Sequence, residues 1–394
     1  MTIAAPTTSL LSPEMLQRFD ERAPAYDREN RFFTEDFEEL RASGYLTAPL
    51  PADLGGAGLT LAEVNALQRR LAYHAPATAL AVNMHLYWVG AAADLRRLGD
   101  PAADFILARA AAGDVFAAGH GEAGNDVPVM LSSARAVRVE GGWEFTGHKI
   151  FGSLSPVWDY LGVHAMDTSD PANPQVVHGY LHRSSPHYRI DDTWDALGMR
   201  ATASNDTILD RTFIPDGQVA LVCPAGFAGA RPFHGALFAW ALLGFGGVYA
   251  GIAQRTFDEA VACVHRRSSI ALTRSMAYHP GVQHQVAEMR IAIEALLAHL
   301  DRICDDWSSG VDHGTEWPLK LVACKHAVVN QAWSVVDGAF DLTGGAGIFK
   351  RSRFEQLFRD ARLGRIHPVN SLLTHELVGK MSLGINPDEQ PRWG

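Results

Sequence analysis

The sequence predicts an α+β fold that is mostly α-helical, in which a strand-rich segment separates two helical regions. Apolar residues recur at helical spacing from about residue 13 to about residue 113, and the same spacing returns from about residue 236 onward. Between these regions, short apolar or alternating runs are separated by Gly, Pro, Asn and Asp, which is typical of a sheet or small barrel. We therefore expect three domains, helical at 1–114, β at 115–222 and helical at 223–394.

The helical regions carry recognisable start and stop signals. In the first region, "SPEMLQRFDERAPAYD" and "TLAEVNALQRRLAYHA" open with a Ser and a Thr that suit helix N-caps. In the last region, three glycines separate the third predicted helix from the fourth. We predict the helices of this last region at about 236–268, 281–307, 316–342, 350–363 and 369–382.

The composition is that of a globular protein and argues against two classes of partner. Hydrophobic residues make up 47% and charged residues 20% of the 394 residues, and the formal net charge is -10. This negative charge disfavours binding to nucleic acid or to an anionic membrane surface. The four cysteines form no CxxC pair and the N-terminus lacks a signal-peptide pattern, so we expect reduced thiols in a cytoplasmic protein.

One uncharged segment, "GALFAWALLGFGGVYAGIA" at Gly235–Ala253, is long enough to span a bilayer. It is rich in glycine, and "QRTFDEAVACVHRR" continues it as an ordinary amphipathic helix. We therefore predict a buried core helix that does not cross a membrane, with glycines that let neighbouring helices approach closely.

Four motifs stand out, and each is weak evidence when taken alone. "GHGEAGNDVP" (Gly119–Pro128) is a glycine-rich turn, and "GWEFTGHKIFGSLSP" (Gly142–Pro156) has the pattern of a hairpin. "LGMRATASNDTILDRTFIP" (Leu197–Pro215) is a polar turn followed by a strand. "DLTGGAGIFKRSRFEQLFRDAR" (Asp341–Arg362) is the end of a helix, a glycine turn and a basic helix.

Taken together and in this order, the motifs resemble those of the acyl-CoA dehydrogenase superfamily over nearly the whole chain. The resemblance implies an N-terminal helical domain, a central β domain and a C-terminal four-helix bundle. It also implies a bound flavin and, usually, a homotetramer. The matching segments are Asn125–Asp126, Gly147–Phe151, Gly198–Ala201, Gly344–Gly347 and Arg359–Arg362.

The sequence departs from true acyl-CoA dehydrogenases where those enzymes carry the catalytic carboxylate. In most members a Glu follows the "RDAR" segment, but here "RDARLGRIH" is followed by Pro368. Other members carry the acid on the first long helix of the bundle, at a position that corresponds here to Trp240 or Ala241. None of these residues can remove a proton from carbon, so simple α,β-dehydrogenation is not expected.

The flavin monooxygenase branch of the superfamily is more similar at these positions. Its members take reduced flavin from a separate reductase and form a C4a-hydroperoxide with oxygen. The resemblance implies catalytic roles for His85, Ser153 and His367, with a small S-, N- or aromatic substrate. The alternatives are an acyl-CoA dehydrogenase or oxidase with a relocated base, and a flavin-binding protein without turnover. His85 could also be a satisfied core histidine, and His367 could be no more than the joint between two helices.

The resemblance also suggests which residues bind the flavin. Asp341 and Pro280 stand where the family often places glutamines that bind the adenine half of FAD. An acid near a pyrophosphate is unfavourable, so FMN or weakly held FAD are both open. The candidate flavin-binding residues are Gly124, Asn125, Phe151, Ser153, Arg267, Gly344, Gly345 and Asn370.

Overall fold

The computed structural model of this chain describes residues 10–389, apart from the side chain of Ala103. The outer limits of the first and last predicted domains, residues 1 and 394, lie outside the described residues. Strands occupy the middle of the chain and helices occupy both sides, as the sequence predicts. The exact boundaries at 114 and 222 stay a prediction.

From residue 10 onward, where the description begins, the N-terminal region contains five α-helices. Ser12 accepts a hydrogen bond from the Met15 amide, and Thr60 forms a capping box with Glu63, so both predicted caps are confirmed. The helices are α1 (Pro13–Glu29), α2 (Thr34–Ala42), α3 (Leu61–His74), α4 (Pro76–Arg97) and α5 (Ala102–Ala111). Helix α4 is buried on almost every side.

The central region is one eight-stranded sheet, mostly antiparallel, with the order β6-β7-β3-β2-β4-β5-β8 and with β1 parallel to β4. Its strands are β1 (Phe116–Gly119), β2 (Arg135–Val139), β3 (Gly142–Gly152), β4 (Tyr160–Asp167), β5 (Gln175–His182), β6 (Tyr188–Asp191), β7 (Asn205–Pro215) and β8 (Val219–Pro224).

The predicted hairpin at Gly142–Pro156 is wrong. Residues Gly142–Gly152 form a single long strand that pairs with β2 on one side and with β7 on the other. The reversal of the chain comes earlier, where Gly141 adopts a positive φ of 76°. "HKIFGS" therefore continues the strand instead of forming a second arm.

The C-terminal region contains α6 (Pro232–Arg266), α7 (Pro280–Ser308), α8 (Trp317–Thr343), α9 (Arg353–Leu363) and α10 (Ser371–Leu383). All five begin and end within a few residues of their predicted limits. Helix α6 is long and apolar enough to cross a membrane, but 89% of its most apolar window is buried inside the protein. It is therefore the core helix that the sequence predicts.

Glycines on α6 let it lie close to the N-terminal helices. A Cβ on Gly251 would lie 2.4 Å from the carbonyl oxygen of Arg69 on α3. A Cβ on Gly244 would lie 2.2 Å from the side-chain oxygen of Asn83 on α4. Any larger residue at these positions would push the helices apart, as the sequence led us to expect.

Two of the recognised motifs join the parts of the molecule. Arg359 of the "RDAR" segment binds both carboxylate oxygens of Asp27 on α1, at 2.9 and 2.6 Å. The same guanidinium donates to the carbonyl oxygen of Leu197, at 2.9 Å. A Cβ on Gly198 would lie 2.5 Å from the Arg359 carbonyl oxygen, so only glycine fits between the loop and α9. The "RDAR" and "GMRA" motifs therefore hold α9 against α1 and against the loop that contains Leu197.

The next residue, Asp360, generates a pH-dependent prediction. Its buried carboxyl accepts a hydrogen bond from the Met199 amide, and burial, reinforced by the charge of Asp27, raises its pKa to about 7. The carboxyl of the unfolded chain titrates near 3.8. At pH values between about 3.8 and about 7, Asp360 therefore takes up a proton when the chain folds. The free energy of unfolding falls as the pH rises through this range.

We expect Asp360→Asn to remove this loss, because Asn can still accept from Met199 but carries no charge. In urea unfolding, the free energy of unfolding of the variant should rise relative to that of the wild type between about pH 4 and pH 7, by at most about 1.4 kcal/mol per pKa unit. Above pH 7 the difference should stay constant. The control, Asp170→Asn in an exposed loop, should show no trend. A difference between Asp360→Asn and wild type that does not change with pH would contradict the prediction.

Candidate active site

A cavity of about 450 Å³ lies where the three parts of the protein meet. Its walls come from α4, the loop 120–129, the end of β3, the loop 194–204, α6 and the joint between α9 and α10. Among the described residues that line it, most side chains are apolar and none is a Lys or an Arg. Phe151, Leu197 and Ile366 are 56%, 58% and 59% exposed, so they mark the mouth of the cavity.

The structure brings five of the predicted site residues together in this cavity: Asn125, Phe151, Ser153, His367 and Asn370. Pro368 and Ala241, which lie at or beside the positions where the resemblance places the dehydrogenase carboxylates, line it as well. The predicted departure from the dehydrogenases is therefore located in the cavity wall itself.

His367 is a neutral imidazole whose orientation is fixed by α6. Its ring stacks on Phe245 with centroids 4.8 Å apart, and its Nε2 lies 2.8 Å from the buried hydroxyl of Tyr249. Burial, with a smaller contribution from the charge of Lys325, lowers the pKa of His367 to about 3. If Tyr249 did not donate to Nε2, its hydroxyl proton would lack a partner among the described residues, so we assign the donor role to Tyr249.

This assignment determines what His367 offers to the cavity. When Nε2 accepts from Tyr249, the single proton of the neutral ring resides on Nδ1. Nδ1 makes no hydrogen bond to the described part of the chain and is not a buried atom. His367 therefore presents an N–H donor at the cavity wall.

The joint that carries His367 is held by a buried lysine of α8. The ammonium of Lys325, which is 2% exposed, donates to the carbonyl oxygens of His367 at 2.7 Å and of Val369 at 3.1 Å. The sequence suggested that Pro368 starts the last helix, but that helix begins at Ser371. Its N-cap is Asn370, whose side-chain oxygen accepts from the Leu373 amide. The side-chain amide nitrogen of Asn370 makes no hydrogen bond to the described residues and can donate to a ligand.

Ser153 ends a chain of buried hydroxyl groups. Its Oγ lies 2.7 Å from Ser204 Oγ, which lies 2.6 Å from Thr202 Oγ1. Thr202 in turn donates to the carbonyl oxygen of Met199 at 2.8 Å. Three of these residues, Ser153, Thr202 and Ser204, line the cavity directly, so the hydroxyl chain is part of its wall.

Backbone strain is concentrated around this hydroxyl chain. Phe151, Leu154, Met199 and Ala203 all adopt positive φ angles, of 61°, 65°, 52° and 45°. Such conformations cost non-glycine residues about 1 kcal/mol or more each, and they persist where the surrounding structure imposes them. The fold thus gives up stability to present this part of the wall.

Asn125 supports the wall from inside its own loop. Its amide nitrogen donates to Glu122 and to the Leu131 carbonyl, both at 2.8 Å, and its side-chain oxygen accepts from the Val127 amide. Burial alone would raise the pKa of Glu122, but the buried ammonium of Lys149 outweighs it and lowers the pKa to about 2. Glu122 is thus a fully engaged carboxylate. Gly124 supplies a positive φ of 77° to the same loop and does not line the cavity.

The predicted catalytic role of His85 does not agree with its position. Its Nε2 donates to the Leu46 carbonyl and its Nδ1 accepts from the Phe116 amide, each at 3.0 Å. Burial lowers the pKa of His85 to about 4. The ring lies outside the cavity, although its neighbour Met84 lines it. His85 is the satisfied core histidine that the sequence left open as an alternative.

Three predicted flavin-binding residues lie together, away from the cavity. Arg267 ends α6 and donates to the Leu342 carbonyl, and a Cβ on Gly344 would lie 2.8 Å from its guanidinium. Gly345 follows in the same turn. None of the three lines the cavity within one chain, so the expected contact with a flavin in this cavity is not made there.

Sequence reasoning missed Trp194, an aromatic of the cavity wall. It meets Phe151 edge to face with ring centroids 6.2 Å apart, and its Nε1 donates to the Met199 carbonyl at 3.3 Å. Its position a few residues before the "GMRA" motif was the available signal. Tyr249 and Lys325 were missed too, because no local pattern links them to His367.

A second group of buried titratable residues, His178, Cys223 and His234, could hold a metal ion by ligand type and proximity. The hydrogen bonds of His234 argue against a metal ion at this group. His234 Nδ1 accepts from the Arg231 amide, so its Nε2 carries the proton and donates to His178 Nε2 at 3.3 Å. A ring that already accepts through Nδ1 and donates through Nε2 has no lone pair left for a metal.

Comparison with known proteins identifies the class. The model of the acyl-CoA dehydrogenase N-terminal domain matches residues 14–105, and that of the acyl-CoA dehydrogenase C-terminal domain matches residues 243–371. Together they cover more than half of the chain. The protein belongs to the acyl-CoA dehydrogenase superfamily and is a flavin-dependent enzyme, as its sequence indicated.

Its curated relatives have different activities. The putative acyl-CoA dehydrogenase YdbM of Bacillus subtilis is 29% identical and aligns with 92% of this chain and 93% of its own. L-evernosamine nitrososynthase of a Micromonospora species is 27% identical, with 98% and 92% aligned. Dibenzothiophene monooxygenase of Rhodococcus erythropolis is 26% identical, with 91% and 88% aligned.

A similar solved structure contains a flavin. KijD3, in complex with FMN and dTDP-3-amino-2,3,6-trideoxy-4-keto-3-methyl-D-glucose, superimposes with a TM-score of 0.84 at 25% identity, covering 99% of this chain and 97% of that one. The cavity described above suits the ring system of a flavin. Its volume is that of a typical cofactor site, Trp194 and Phe151 supply aromatic surface, and Ser153 supplies a hydrogen-bonding group.

We expect Lys325→Met to loosen the joint at residues 364–370. Met matches the side-chain length but cannot donate, so the carbonyls of His367 and Val369 lose a buried partner at a cost of about 1–3 kcal/mol each. Hydrogen–deuterium exchange of the flavin-free protein should show faster exchange of the Ile366 and His367 amides.

Lys320→Met, the same substitution on the same helix but outside the joint, serves as the control and should leave these amides unchanged. Equal exchange at residues 364–370 in wild type and Lys325→Met would show that the lysine does not hold the joint.

Proposed function

We propose that this protein is a flavin-dependent monooxygenase that takes reduced flavin from a separate reductase and oxidises a small S-, N- or aromatic substrate. Reduced flavin, when bound, supplies the electrons that activate molecular oxygen. The named nitrososynthase and monooxygenase among its relatives, and the FMN in a similar structure, support this proposal.

The observation that carries the proposal is the replacement of a base by a donor. The two positions where the resemblance places the dehydrogenase carboxylate are occupied by Pro368 and by Trp240 or Ala241, none of them acidic, whereas His367 beside Pro368 directs a neutral N–H at the cavity. Oxygen transfer requires no base for a C–H proton. It benefits from a donor that holds a proton near the oxygen atoms and from walls that exclude water.

The wall residues have distinct parts in this proposal. Phe151 and Trp194 would contact the flavin ring, Ser153 would bond to its edge, and His367 would donate to oxygen. The apolar side chains of α6 would exclude water. Arg267, Gly344 and Gly345 remain candidates for a flavin contact only between subunits, because they lie outside the cavity of their own chain.

The second candidate is an acyl-CoA dehydrogenase or oxidase with a relocated base. The similarity to YdbM favours it, and so does Asp126, an exposed carboxylate that lines the cavity. Anaerobic addition of saturated acyl-CoAs of several chain lengths should leave bound oxidised flavin yellow if the monooxygenase proposal holds. Rapid bleaching that is lost in Asp126→Asn would establish the second candidate instead.

We expect His367→Ala to uncouple the reaction. Loss of one positioned proton donor typically costs about 10²–10⁴ in rate. With reduced FMN, oxygen and either indole or dibenzothiophene as the probe, the variant should release more hydrogen peroxide per flavin oxidised and form less oxygenated product. The pH profile of the wild type should show no inflection near 6.5 that the variant lacks, because the pKa of His367 is far lower.

The matched control is His375→Ala, which removes an exposed histidine of α10 outside the cavity and should behave as wild type. Flavin affinity and folding should also be unchanged in His367→Ala. Coupled turnover equal to that of the wild type would show that His367 is only a joint between two helices.

We also propose a homotetramer, as the family resemblance implies. Large apolar side chains remain exposed on the C-terminal helices and the turn before α9: Ile291, Ile348, Phe349, Leu372 and Leu383. Such surface is typical of subunit contacts. Light scattering should give about four times the chain mass of 42.8 kDa, and a monomer that binds flavin would refute the proposal.

A further inference from the structure

The direction of the hydroxyl chain behind Ser153 can be worked out from its inner end. The Met199 carbonyl oxygen can only accept, so the Thr202 hydroxyl donates its single proton to that oxygen. Thr202 Oγ1 must then accept from Ser204, because two oxygens 2.6 Å apart require a proton between them. By the same reasoning, Ser204 has no proton left for Ser153.

Ser153 is therefore the first donor of the chain. It lies 2.7 Å from Ser204 and gives its proton to that hydroxyl. All three side chains are buried, with exposures of 7%, 4% and 0% for Ser153, Ser204 and Thr202. Each proton is held between two oxygens of the chain itself, so the direction is stable. What Ser153 Oγ offers to the cavity is a lone pair, and it can bind only a donor.

This matters because the two redox forms of a flavin differ in their donors. The oxidised ring carries N5 as a bare acceptor, whereas the reduced ring carries an N5–H group. The superfamily resemblance implies that Ser153 faces N5, and a wall offering only a lone pair there would repel the first form and bind the second. Preorganised hydrogen-bond direction costs nothing at the moment of binding, since it is set by the fold.

We infer that Thr202 and Ser204 are positioning residues that orient the Ser153 hydroxyl as an acceptor and so make the cavity select reduced over oxidised flavin. The inference rests on the proposed flavin site and adds a specificity to it. It gives a physical reason why an enzyme supplied by a reductase would capture the reduced cofactor and release the oxidised one.

The inference predicts a reversal in Thr202→Val. Val fills the same space but has no hydroxyl, so Ser204 loses its acceptor and turns its proton toward Ser153. Ser153 can then donate into the cavity, which suits the oxidised ring. The reduced form thereby loses a hydrogen bond and the oxidised form gains one, so the ratio of the two dissociation constants should shift by about tenfold or more.

The test measures dissociation constants of oxidised and reduced FMN for the whole protein under anaerobic conditions. The wild type should bind reduced FMN more tightly, and Thr202→Val should shift the ratio toward the oxidised form. The control is Thr212→Val, at a residue that does not line the cavity. It removes an equally buried hydroxyl, which donates to the His187 carbonyl oxygen over 2.6 Å. It should keep the wild-type ratio.

Ser204→Ala provides a second variant, should Thr202→Val fold poorly. It interrupts the chain in the middle, frees the Ser153 proton and should shift the ratio in the same direction. A wild type that binds both forms equally, or variants that keep its ratio, would overturn the inference and leave the proposed function standing. A wild type that binds neither form would refute the proposed function, and the inference with it.

Discussion

The contact of Arg359 with Asp27 and with the Leu197 carbonyl is the interaction on which the cavity depends. It ties α9 to α1 and to the loop that forms one side of the cavity. The neighbouring carboxyl of Asp360 holds the Met199 amide, and the Met199 carbonyl accepts from Thr202 and Trp194. A single buried guanidinium thus positions this wall from behind, without lining the cavity itself.

Much of the fold could be predicted from sequence, because helical period and caps are local signals. The five C-terminal helices and the central strands follow from the pattern of apolar residues and turn formers. The hairpin failed at Gly142–Gly152 for a physical reason: a long strand paired on both sides has the same alternation as two short arms. Only the partners β2 and β7 decide between these readings.

The site was less accessible to sequence reasoning, since its residues act through distant partners. His85 could not be told from Met84, because α4 is buried on nearly every side and its period does not reveal the cavity face. Motif order did bring Ser153 and His367 to the cavity. Their hydrogen-bonding roles depend on Thr202, Tyr249 and Lys325, and those contacts exist only in three dimensions. Arg267, a candidate flavin-binding residue, lies outside the cavity of its own chain.

The mouth of the cavity has a consequence for handling the protein. Phe151, Leu197 and Ile366 present more than half of their surface to water around an opening that is itself apolar. Exposed apolar surface of this kind favours association between molecules. The yield of dispersed protein from expression cultures should therefore follow their flavin supply, and storage with added cofactor should extend its shelf life.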